Sequence, residues 1–155
     1  MRSRAVPIAL ALALAAVGCG GDPETPEAQV RRSLGALEAA AEEGDLDAFR
    51  DGISERYADE RGHDKEALVR FATFHVLRSA RRHVLVRVRD VLLRDDGRAE
   101  VTLAVGLAGS PAASADELAR LRADVYKVDL DLAQEDGAWR VVWAQWRPTA
   151  PADLL

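Results

Sequence analysis

After Arg82 the spacing of apolar residues changes from three or four to two, and this change limits the chain to designs in which helices come first and a sheet follows. Before it, Val30, Leu34, Leu37 and Ala41 fall four, three and four residues apart, one stripe on one helix face. Beyond it, Val101, Leu103, Val105 and Leu107 alternate with Glu100, Thr102 and Ala104. Further on, Tyr126, Val128, Leu130 and Leu132 alternate with Lys127, Asp129 and Asp131. Helices followed by an antiparallel meander predict an α+β domain, the apolar face of its sheet covered by the helices.

Local signals set the boundaries. Thr25 is placed to cap a first helix with Pro26 at its first position, and Gly44 to end it in a left-handed conformation. Asp45 caps a shorter second helix carrying Leu46, Phe49 and Ile53 toward Tyr57. After the loop from Asp59 to His63, Asp64 caps a third helix that runs to about Arg81, with Leu68, Ala72, His75 and Val76 inward. Four strands follow: Val84 to Arg94, Ala99 to Ala108, Ala123 to Gln134 and Trp139 to Arg147. Asp95-Asp96-Gly97 and Glu135-Asp136-Gly137 are hairpin turns. The domain is expected to span 26–148, with a tail at 149–155.

The chain opens with Arg2 and Arg4, an apolar run from Ala5 to Val17, and small residues ending in Gly18-Cys19. That is the layout of a secretory signal, and the run falls short of the roughly 20 residues a bilayer span needs. The segment resembles a lipoprotein processing site, with Ala16 where leucine is commoner. Residues 1–18 are then a signal peptide, Cys19 the site of lipid attachment and palmitate-type acylation, and 19–25 a flexible linker. Acyl chains on one residue tether a domain without a transmembrane helix. Gly20, rather than Asp, follows the cysteine; by resemblance to Gram-negative lipoproteins this favours the periplasmic side of the outer membrane.

Of the 155 residues, 137 remain once residues 1–18 are removed, enough for one domain with one core. The net charge is −5 and becomes −7 when Arg2 and Arg4 leave. An acidic chain without a basic, aromatic-studded stretch is unsuited to nucleic acid. Cys19 is the only cysteine, so no disulfide forms within the chain.

Three segments carry a family resemblance: Ala41-Glu42-Glu43-Gly44-Asp45-Leu46-Asp47-Ala48-Phe49, Ile53-Ser54-Glu55-Arg56-Tyr57-Ala58-Asp59, and Glu135-Asp136-Gly137-Ala138-Trp139-Arg140-Val141-Val142. Over about Glu27 to Arg147 the chain resembles the NTF2-like superfamily, the fold of SnoaL-type cyclases and ketosteroid isomerases. The resemblance implies a cone-shaped, cystatin-like roll of helices on a curved antiparallel sheet. It also implies a shortened lip, since Tyr57 to Lys65 leaves little room for the short strands many members place there.

In enzymes of that fold, carboxylates, tyrosines and histidines inside the cone do the chemistry, their pKa values moved by burial. The inward candidates are Tyr57, His75, Asp90, Asp124, Tyr126, Trp143 and Gln145. Asp90 breaks the row Val84, Val86, Val88; it is a buried base or, through a bulge, a solvent-facing residue, and the bulge is the plainer expectation. His75 more simply serves as a satisfied core or rim residue, Asp124 as a solvated edge and Tyr126 as packing. Strict alternation puts Trp139 and Trp143 on one face and Trp146 on the other, where an exposed Trp146 would mark a homodimer face. Asp59, Glu60, His63 and Asp64 lack the ligand pattern of an EF-hand or zinc site, so no metal and no cofactor is expected. Arg78, Arg81, Arg82, Arg87 and Arg89 form one basic cluster, which faces anionic lipid or an acidic partner or, as the plainer expectation, is a solvated helix end.

Together these observations predict a membrane-anchored, non-enzymatic domain that binds a small apolar ligand or an envelope protein partner. A small cofactor-independent isomerase or hydrolase using Asp90 or His75, and a structural dimerisation module, are the alternatives. A hollow cone or a filled one separates them.

Overall fold

The computed structural model describes residues 24–74, 83–108 and 124–154. Three helices come first: α1 (Pro26–Glu43), α2 (Leu46–Asp51) and α3 (Lys65–Ala72). All three caps are as expected. The side chains of Thr25, Asp45 and Asp64 accept the N–H of Ala28, Ala48 and Ala67 at 3.2, 3.0 and 2.8 Å. Gly44 closes α1 at φ 73°, in the left-handed region open to a residue without Cβ. The expected continuation of the third helix through His75 to Arg81 lies outside the described residues.

Strands β1 (His83–Leu93), β2 (Arg98–Ala108), β3 (Asp124–Glu135) and β4 (Ala138–Pro148) form one antiparallel sheet in the order β1-β2-β3-β4. Gly97 (φ 75°) turns the first hairpin; Asp136 (φ 51°) and Gly137 (φ 79°) turn the last, the paired positive φ values of a type I′ turn. Two bulges interrupt the pairing. Val88 faces Leu103 and Asp90 faces Thr102, leaving Arg89 extra in β1. Asp131 faces Trp143 and Leu132 faces Val141, leaving Val142 extra in β4. Each bulge bends its strand and reverses the face of the residues beyond it.

Both sheet edges are covered in part, which shortens the template each offers for aggregation. Along β1, the α1 carboxylates Glu38 and Glu42 accept the N–H groups of Val86 and Val84 at 2.8 and 3.3 Å. Along β4, residues 52–58 run beside the second bulge: Ser54 N–H reaches Val141 O at 2.9 Å, Val141 N–H reaches Gly52 O at 3.0 Å, and Ala58 N–H reaches Val142 O at 3.1 Å. Residues beyond β4 fold back rather than trail away. Thr149 N–H bonds Val125 O at 2.8 Å, and the 3-10 turn Pro151–Leu154 lies against β2. Ala104 and Val125 are buried there although both point to the outer face.

Gly52 is required by close approach. A Cβ built there stands 2.5 Å from Leu37 Cδ2 and 2.9 Å from Leu37 Cγ, so Gly52→Ala should push Leu37 off α2 and cost about 1–3 kcal/mol. In urea unfolding, adding Leu37→Ala to Gly52→Ala should cost less than the two single losses together, because the clash is with that side chain.

Ser54 is fully buried and donates its hydroxyl to Glu135 Oε1 at 2.9 Å, while Arg56 reaches the same oxygen through Nε at 3.1 Å and Nη2 at 2.5 Å. The Arg56 hydrogen bond, against the opposing pull of burial and with help from Ser54, holds the Glu135 carboxyl below its ordinary value. A carboxyl pKa lowered on folding stabilises the fold above its unfolded value, and this is lost as pH falls through the folded one. Glu135→Gln should therefore lower Tm at pH 7 and flatten its decline below about pH 4.5; an unchanged acid limb would show that Glu135 contributes nothing to it.

Candidate functional site

The cone is filled at one end and hollow at the other. At the end holding both hairpin turns, Val30, Ala99 and Leu132 are fully buried, with Val101 and Trp139 nearly so. Trp139 donates its indole N–H to Gln29 Oε1 at 3.3 Å, joining this end to the start of α1. Toward the other end the walls separate around a chamber of about 240 Å³. Leu34, Leu37 and Ala41 of α1, Phe49, Leu68 and Ala72 of α2 and α3, and the inward row of the sheet line it. Among the described residues on its wall, Glu38 is the one charged side chain, and its carboxylate is engaged by Val86 N–H. A second compartment of about 350 Å³ shares Phe49, Leu68, Val105, Val128 and Trp146 and adds Phe71, Asp124 and Tyr126.

Trp146 is the wall between the chamber and the loop above it. Its ring meets Phe71 at a centroid distance of 5.9 Å, tilted by 33°, and the Arg61 guanidinium lies 5.1 Å over its face, a cation–π contact. The loop that carries Arg61 is tied down by Asp59, whose carboxylate accepts Arg61 N–H and His63 N–H at 2.8 and 2.9 Å and meets His63 Nδ1 at 2.8 Å. Burial raises the Asp59 pKa, but the backbone and ring of His63 and the N–H of Arg61 outweigh it and hold the carboxyl below its ordinary value.

Among the described residues, those singled out from the sequence do not converge. Tyr57 is buried in the core and its hydroxyl has no hydrogen-bond partner among the described residues; burial, reinforced by the Asp59 charge, pushes its ionisation far above the ordinary tyrosine value. It is not among the chamber-lining residues. Tyr126 and Asp124 border the outer compartment. Asp90 is exposed, turned out by the Arg89 bulge, so it is not a buried base. His75 lies outside the described residues.

Trp143 and Gln145 differ most from strict alternation. The extra residue Val142 puts them opposite Asp131 and Asp129, on the outer face, while Trp146 pairs with Val128 and turns inward beside Trp139. Neither Trp143 nor Gln145 can then line the cone, and an inward Trp146 marks no dimer face. Trp143 instead borders a broad outer groove of about 600 Å³ with Arg56, Asp96, Arg98 and Asp131. Its charges are paired locally: Arg98 with Asp131 at 3.4 Å, Arg56 with Glu135 at 2.5 Å. Burial raises the Asp131 carboxyl above its ordinary value, opposed by Arg98.

Sequence reasoning missed Phe71 and Arg61 as neighbours of the chamber. A signal for the bulge was present. Inward apolar residues fall at Trp139 and Val141, then at Ala144 and Trp146, so the spacing lengthens from two to three across Val142. Among the described residues no group of three or more His, Cys, Asp or Glu could hold a metal ion, and no helix is long and apolar enough to cross a membrane.

No protein-family model matches the chain, and no curated protein is similar to it in sequence. Solved structures are similar in shape. An NTF-2 like protein of unknown function from Silicibacter pomeroyi superposes with a TM-score of 0.59 at 14% identity, over 79% of this chain and 95% of that one. A putative calcium/calmodulin-dependent protein kinase type II association domain from Thiobacillus denitrificans gives 0.60 at 16% identity, over 81% and 95%. Aln2 from a Streptomyces species gives 0.62 at 13% identity, over 81% and 93%. Identities this low speak to fold alone. Helices followed by a curled four-stranded antiparallel sheet, superposing on these structures over most of its length, give this chain the NTF2-like α+β cone fold.

Proposed function

We propose that this chain is a lipid-anchored protein of the cell envelope whose cone binds a small apolar ligand. The observation that carries the binding half is the chamber: about 240 Å³ walled, among the described residues, by leucine, valine, alanine and aromatic side chains, with the carboxylate of Glu38 engaged by Val86 N–H. A cavity of this kind takes its affinity from apolar surface and demands little of ligand polarity. An envelope protein partner, reached through the same end of the cone, is the second form of this reading.

The anchoring half rests on the sequence: a basic start, an apolar run too short to span, and Cys19 behind small residues. In a cell with two membranes, the periplasmic side of the outer membrane is the proposed location. Two experiments separate the halves. Titration with a neutral apolar fluorophore such as N-phenyl-1-naphthylamine should give saturable one-to-one binding, and no saturable binding sinks the ligand reading. Metabolic labelling with an alkyne fatty acid should mark the wild-type chain and not Cys19→Ala, and equal labelling of both sinks the anchor.

A further inference from the structure

We propose that the outer groove beside Trp143 is a second binding site, independent of the chamber, and that it takes a neutral saccharide. The C–H face of a sugar ring lies on the Trp143 indole, and its hydroxyls bond Asp131 and Arg98.

Two of the three tryptophans are engaged. Trp139 is buried with its N–H on Gln29, and Trp146 lies against Phe71 with Arg61 over its face. Trp143 is half-buried; among the described residues its N–H meets no acceptor, and neither a ring nor a guanidinium lies over it. The Val142 bulge puts it there, since a regular strand would carry Trp143 inward behind Trp139 and Val141. Turning an indole out of the cone gives up apolar burial that a purely structural strand would keep. Directly across from Trp143 on β3 stands Asp131. Its side chain is only 33% exposed, yet among the described residues its one hydrogen-bond partner is Arg98, at 3.4 Å, the long end of such bonds. That carboxyl has lost water without fully replacing it, and burial raises its pKa although Arg98 opposes the rise. A hydroxyl donor would fill the place of the lost water, and the free N–H groups of the Arg98 fork, half exposed, would donate to the next hydroxyl.

Charge sets the ligand class. Arg56, Arg98, Asp96 and Asp131 line the groove, two of each sign, and Arg56 is already held by Glu135. An anion would meet the aspartates and a cation the arginines. A neutral ring whose hydroxyls both donate and accept suits both, and the apolar face of its C–H groups matches an indole. A peptide strand fits less well, because the β4 edge it would pair with is taken at the bulge: Gly52 and Ser54 bond Val141, and Ala58 bonds Val142. Ala133, the next outward residue of β3, offers only a methyl group, so the floor of the groove stays low. At about 600 Å³ the groove has the size of a ligand site.

The test is an NMR titration of the chain from Cys19 onward, which contains every described residue of the fold, following the three indole N–H signals. The probes are cellotetraose, whose β-linked rings present flat C–H faces, and tetra-alanine as a peptide of equal length. Cellotetraose should move the Trp143 signal saturably, with a Kd of about 1 mM or below, while Trp139 and Trp146 stay still and tetra-alanine moves none of them. Read from the Asp131 and Ala133 amides, Trp143→Ala should weaken binding about tenfold and Trp143→Phe, which keeps a ring, by less. Arg98→Gln, at a half-exposed position, should weaken it severalfold and serves as the second variant. No saturation at about ten times the expected Kd, equal movement of all three indoles, a response to tetra-alanine in place of the sugar, or undiminished binding by Trp143→Ala and Arg98→Gln overturns the inference.

Discussion

Leu132→Ala should cost about 4 kcal/mol and Leu130→Ala about 1.5 kcal/mol, although the two leucines are neighbours on the same inward row of one strand. Leu132 is fully buried in the filled half. Truncating it loses the transfer energy of the removed atoms and leaves a void that close-packed neighbours collapse into only partly. Leu130 lines the chamber and is half-buried, so the atoms removed merely enlarge a space that already exists. At about 4 °C per kcal/mol for a domain of this size, the two variants should differ by about 10 °C in Tm. Equal losses would mean that the cone is packed alike along its length and that the chamber is not a persistent space.

Ligand binding should be lost by filling the chamber rather than by removing a polar group from it. Val105 lines both compartments and is half-buried, so the Val105→Trp side chain grows into open space. The expected result is at least about tenfold weaker binding of the apolar probe, a change of about 1.4 kcal/mol, with stability altered by less than the 1–3 kcal/mol typical of overpacking a filled core. Asp90→Asn, at an exposed bulge on the other side of the sheet, should leave the probe's affinity unchanged. Unaltered binding in Val105→Trp, or loss in Asp90→Asn, would move the site elsewhere.

Much of the architecture was legible because its signals are local. A side-chain oxygen at Thr25, Asp45 or Asp64 meets an unpaired N–H three residues on, and a glycine after two acidic residues suits a hairpin turn; both interactions lie within a few residues of chain. The period of two likewise reports which face each residue of β2 and β3 takes. The bulges were harder. One extra residue reverses every side chain beyond it, so reading β4 as a regular strand assigned Trp143 and Gln145 to the cone and Trp146 to the outside. In β1 the same device was foreseeable, because a charged Asp90 in a valine row marks where alternation fails.

The hollow half was not legible at all. Leu130 and Leu132, or Val101 and Val105, are interchangeable in an alternating pattern, and which of them meets a neighbour depends on how far α1, α2 and α3 stand from a curved sheet. That distance is set by long-range contacts such as Leu37 against Gly52 and Gln29 against Trp139, between residues whose separation in sequence carries no periodic signal. A candidate pocket drawn from chemically reactive residues accordingly missed a chamber whose described lining is almost wholly apolar.

The most direct test of that chamber is a methyl-resolved NMR titration of the chain from Cys19 onward with N-phenyl-1-naphthylamine. The account predicts saturable shifts at Val105, Leu107, Val128 and Leu130, with Val30 and Leu132 unmoved. Shifts confined to the outer groove around Trp143, or no saturable shifts anywhere, would contradict it.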